Sequence, residues 1–145
     1  VRHGNQGVVV SAGSRVTLAN VQLGWTQTAL DVAEGCAVNL LNALVHDAEI
    51  PLAAGPGAAV PGEHVTFHRL GRFRDGPGSS WPDLTNCLII AGGGHVAFNG
   101  SHVAVRASDD RIFQTALAAS RYLANNSPFP DAGQQVAVPV VPEFC

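Results

Sequence analysis

Lysine and methionine are both absent from the 145 residues, and eight arginines face eleven carboxylates for a formal net charge of −3. That balance offers no basic footprint for nucleic acid or for an anionic membrane surface, so neither is expected as a partner. No apolar run approaches the roughly 20 residues a membrane-spanning helix needs, and the opening VRHGNQG lacks a signal-peptide pattern. Three cysteines, Cys36, Cys87 and Cys145, are too few and too scattered for a disulfide framework or a zinc ribbon. No G-x-S-x-G elbow, H-E-x-x-H or P-loop is present, so the familiar hydrolase routes lose ground. The chain opens on Val1, as expected of a product trimmed or cut from something larger.

What is there suits one folded domain over residues 1–145, with 46% hydrophobic and 13% charged residues. Gln6 to Ser11 and Ser14 to Asn20 are β-branched runs around Ala12-Gly13 and predict an opening hairpin. From Thr26 to Asp47, apolar residues at Ala29, Val32 or Ala33, Cys36, Leu40 and Leu44 recur at three- and four-residue steps. That spacing predicts a helix, with Thr28 and Asp31 as its capping pair. Pro51 to Gly62 reads as a loop, His64 to Leu70 as a strand, and Gly71 to Pro82 as a second loop. Cys87 to Ala91 predicts a further strand, Ser108 caps a second helix, and Val136 to Val141 closes as an edge strand containing Pro139. The resulting fold class is α+β, a two-layer sandwich with a mainly antiparallel sheet covered by two helices.

The stretch GGGHVAFNGSHVAV spaces Gly92, Gly94 and Ala97 as in a dinucleotide fingerprint, but no helix can begin there. Asn99-Gly100 between two alternating runs predicts a type I′ hairpin turn instead. His64 and His68 would stand about 13 Å apart on a strand, too far to share a metal ion. His95 and His102 flank the predicted turn as weak cross-strand neighbours, and no metal or cofactor is expected. Arg69, Arg72 and Arg74 with Asp75 are a candidate anion clamp at a glycine-rich loop, and Trp81 either covers a pocket there or anchors the loop. Sequons at Asn99 and Asn125 permit glycosylation of a secreted chain.

Taken in order, several segments resemble the RidA/YjgF superfamily of small trimeric α+β proteins with a chorismate-mutase-like fold. They are GNQGVVVSAG at Gly4 to Gly13, QTALDVAEGCAVNLLNAL at Gln27 to Leu44, VTFHRLGRF at Val65 to Phe73, and ASRYLANNSPFP at Ala119 to Pro130. The resemblance implies a cytoplasmic homotrimer that binds a small carboxylate-bearing ligand between subunits and hydrolyses reactive enamines or imines to ketoacids and ammonia. It assigns Arg121 as the catalytic and carboxylate-binding residue, with Ser11 and Gly13 beside the substrate, and places Ala137 where active members carry an acid. A guanidinium fork suits that chemistry, since it orients a 2-imino acid and stabilises charge as water adds to the C=N carbon. The alternative expectation is a non-enzymatic structural or interaction module, capsid-like or a secreted surface domain.

Overall fold

The computed structural model describes residues 2–71, 80–90 and 97–107. Among these there is no helix: the chain winds as a parallel β-solenoid, and the α+β sandwich is overturned. One six-stranded sheet is formed by β1 (Arg2–Val10), β3 (Gln22–Val32), β5 (Leu44–Ala54), β7 (Thr66–Leu70), β9 (Leu88–Ile90) and β11 (Ala104–Arg106), in that spatial order. The other holds β2 (Arg15–Ala19), β4 (Ala37–Leu41), β6 (Pro61–Glu63), β8 (Asp83–Thr85) and β10 (Asn99–Ser101), stacked in chain order. Every pairing is parallel, and partners stand 22 residues apart, as in Gly24↔His46↔His68↔Ile90. The last described coil is shorter, pairing Ala104 with Leu88 and Asn99 with Asp83.

The coil is closed by corners that repeat with it. Asn20, Asn42, His64, Asn86 and His102 occupy one corner, all at φ between 48° and 55°. Asparagine and histidine tolerate this left-handed region better than most residues, which is why a corner can be built there without glycine. Gly13, Gly35 and Gly57 form another corner at φ 67° to 80°, where glycine carries no Cβ penalty. Between them, the two sheets face each other across an apolar interior. Leu23, Val45, Phe67 and Ile89 stack in one inward column, and Val38 with Val60 and Leu40 with Leu84 approach from the other sheet. Val21, Ala43, Val65, Cys87 and Val103, each one residue after the first corner, fill the seam.

The helix expected over Thr26 to Asp47 is the end of β3, a corner, β4 and the start of β5. Inward residues of a strand recur every second position, so Val32, Cys36 and Leu40 fall four apart, and the corner at Asn42 shifts the phase to Ala43 and Val45. A two-residue period broken by such a shift imitates steps of three and four. The strands on either side of Ala12-Gly13 exist, but they belong to different sheets: β1 pairs with β3 and β2 with β4. Asn99-Gly100 is not a hairpin turn either, since both residues lie in β10 and pair in parallel with β8. The loop expected at Pro51 to Gly62 contains the end of β5 and most of β6 around the Gly57 corner. The second helix, the closing strand and Pro139 lie outside the described residues.

Candidate functional site

Each strand of the larger sheet that reaches this position bends at one residue, and these residues share a column: His3, Trp25, Asp47 and Arg69, at φ 48° to 57°. For tryptophan and arginine this backbone region is costly, by about 1 to 2 kcal/mol each, so the surroundings must hold it. The residues just before the bend, Gly24, His46, His68 and Ile90, point away from the interior by the alternation of the strand after Leu23, Val45, Phe67 and Ile89. His46 and His68 are nonetheless 2% exposed.

The rings are held along the solenoid axis. Trp25 stacks on His3 with centroids 5.2 Å apart and planes 9° from parallel, and meets His46 edge to face at 4.6 Å. The His46 ring lies over the Cα of Gly24, where any Cβ would overlap it. Nδ1–H of His46 donates to Asp47 Oδ2 at 2.8 Å, the tautomer an ionised carboxylate selects. The second Asp47 oxygen stands 3.9 Å from a guanidinium nitrogen of Arg69, whose side chain is mostly exposed. Trp25 is thus engaged by a ring from the coil on either side, which fits a ladder element more than a platform for a sugar or a base.

Of the expected site residues Arg121, Ser11 and Gly13, the last two lie within the described part of the chain, where they share one corner. Ser11 and Gly13 form the corner between β1 and β2: Ser14 N–H donates to Ser11 O at 3.2 Å, and Cys36 Sγ donates to the same oxygen at 3.1 Å. Arg121 and Ala137 lie outside the described residues, as do Arg72, Arg74, Asp75, His95 and Asn125. Arg69 belongs to the bend column, and His64 sits at an exposed corner 3.9 Å from Glu63. His68 is buried. Asn99 is exposed on β10, and Trp81 lies just before β8 with 37% of its surface exposed. Among the described residues no group of three or more His, Cys, Asp or Glu is arranged to hold a metal ion.

Both described cysteines are buried and free. Burial pushes the Cys87 thiol up to about 11, against partial compensation from the Val65 N–H that donates to its sulfur and from the contact with Thr85, with nearby Glu63 adding to the rise. A thiol held protonated is a poor nucleophile, so Cys87 is a core residue of the seam. No protein-family model, curated protein or solved structure matches the chain.

The bend column was legible in part. His46 and His68, 22 apart in the sequence, with Asp47 and Arg69 beside them, carry the same period as Asn20 and Asn42, and a search for internal repeats would have aligned them.

Proposed function

We infer that this chain is a non-enzymatic display module, a rigid solenoid that presents variable side chains from a repeated frame. The carrying observation is the contrast between columns. Inward positions stay apolar or glycine and corner positions repeat in kind from coil to coil, whereas the outward column Thr17, Asn39, Pro61, Asp83 and Asn99 changes at every step. A frame that keeps its interior constant while its outer face varies supports an interaction role better than a single reaction centre. The trimeric, carboxylate-binding, imine-hydrolysing function expected from the family resemblance needs a between-subunit cleft in an α+β sandwich, and the solenoid supplies no such frame.

Incubating the purified chain with a freshly generated 2-imino acid and following ammonia release separates the two. The display module releases ammonia at the buffer rate. Turnover that disappears in Arg121→Ala would overturn the display reading in favour of deamination.

A further inference from the structure

We propose that Asn99-Gly100 is a self-modification site, at which the Gly100 backbone nitrogen displaces the Asn99 side-chain nitrogen and the strand ages to aspartate and isoaspartate. The reaction needs an accessible asparagine side chain and a following backbone nitrogen that is neither shielded by a side chain nor held in a ladder. Both residues lie in β10, the terminal strand of the smaller sheet among the described residues, and both are exposed. Asn99 N–H donates to Pro82 O at 2.9 Å, and successive N–H groups of a parallel strand point to opposite sides, so that of Gly100 is turned away from β8. A Cβ at position 100 would overlap the Leu84 carbonyl, so the fold keeps an unshielded glycine there.

The other described asparagines miss one or both conditions. Val38 N–H donates to Ala59 O at 2.9 Å, so the N–H of the buried Leu40, two residues on, also faces β6, and the nitrogen after Asn39 is held. At the corners, Asn42 Nδ2 is bonded to Asn20, and the residues after Asn42 and Asn86, Ala43 and Cys87, are buried. Asn5 is exposed on β1, but Gln6 follows it with a side chain.

As the bond from Gly100 N to Asn99 Cγ forms, the backbone amide proton passes to solvent, and the side-chain nitrogen takes a proton from solvent and leaves as ammonia. Water then opens the resulting succinimide at either carbonyl, giving aspartate or isoaspartate. Each product sets a carboxylate beside the exposed Asp83, the direct register partner of Asn99, where like charges one strand spacing apart repel. Isoaspartate also adds a carbon to the main chain of β10, so the pairing of β8 with β10 is loosened twice over.

The test holds the full chain folded in mildly alkaline buffer at physiological temperature. Peptide mapping by mass spectrometry follows the gain of one mass unit at each asparagine, and isoaspartyl methyltransferase marks the isoaspartate. Asn99 is expected to convert roughly tenfold or more faster than Asn39 or Asn42, and at a rate close to that of the same residue in the chain unfolded by denaturant. A rate at Asn99 no faster than at Asn42 overturns the proposal, and so does a folded rate about one-tenth of the unfolded one or less. Aged wild type should melt below fresh protein, while Asn99→Gln aged in parallel keeps its midpoint. Equal losses in the two, or none in either, would overturn the loosening of β10.

Discussion

A single asparagine shows how the frame is kept. Asn42 adopts φ 48° at its corner and donates from Nδ2 to Oδ1 of Asn20, one coil below, at 2.6 Å. Alanine would lose that bond and retain the left-handed backbone cost, so Asn42→Ala should destabilise by about 1 to 2 kcal/mol, and Asn42→Gly by less because glycine relieves the backbone part. Chemical denaturation of the two variants beside wild type checks the order, and equal losses would mean that the side-chain bond alone matters. Cys87 carries a second expectation at this scale. Its folded value of about 11 lies above the ordinary 9.0, so its contribution is full below the unfolded value and lost as pH rises through the folded one. The two-unit gap corresponds to about 3 kcal/mol at most. Cys87→Val, a residue that Val65 and Val103 show to fit the seam, should remove the part of the alkaline stability loss between pH 9 and 11 that belongs to the thiol.

Strands were more legible than their partners. Alternation located the runs at Gln6 to Ser11, Ser14 to Asn20 and His64 to Leu70, because inward and outward positions differ in polarity. It carries no information on which strand lies beside which. Short alternating runs around Ala12-Gly13 and Asn99-Gly100 suggest local antiparallel pairing, whereas a coil defers pairing to the residue 22 positions on. The Asn20, Asn42, Asn86 series and the Gly13, Gly35, Gly57 series held that number in plain view. The candidate site was less accessible, since nothing in a lone glycine announces that a histidine ring from the next strand will cover it. Gly24→Ala tests that packing. A methyl group there overlaps the His46 ring, so the ring must swing away from Trp25 and the strand pair β3–β5 should lose about 1 to 3 kcal/mol. An accompanying change in the near-UV tryptophan signal locates the damage at Trp25. Gly24→Ala with wild-type stability would mean that the ring has another place to go.

At the scale of the molecule, one number governs the architecture. Among the described residues of the first four coils the inward columns, corners and bends repeat at 22 residues, so removal of a whole coil should leave a chemically consistent join. Excision of residues 22–43 brings Val21 against Leu44, the same step that Ala43 makes to Leu44 in the intact chain, and keeps Asn20 at its corner beneath His64. The shortened protein should retain its β-sheet spectrum and unfold cooperatively, with a lower midpoint because the buried contacts of one coil are gone. Excision of residues 22–42 instead joins Val21 to Ala43 and advances the strand by one. Because side chains alternate faces, Val45 would leave the inward column and turn outward, and His46 would turn toward the interior. The loss of one residue fewer should therefore be the more damaging deletion, seen as a noncooperative melt or as insoluble protein. Equal behaviour of the two excisions would mean that the coils tolerate a register slip, and the solenoid would then owe its order to something other than the 22-residue frame.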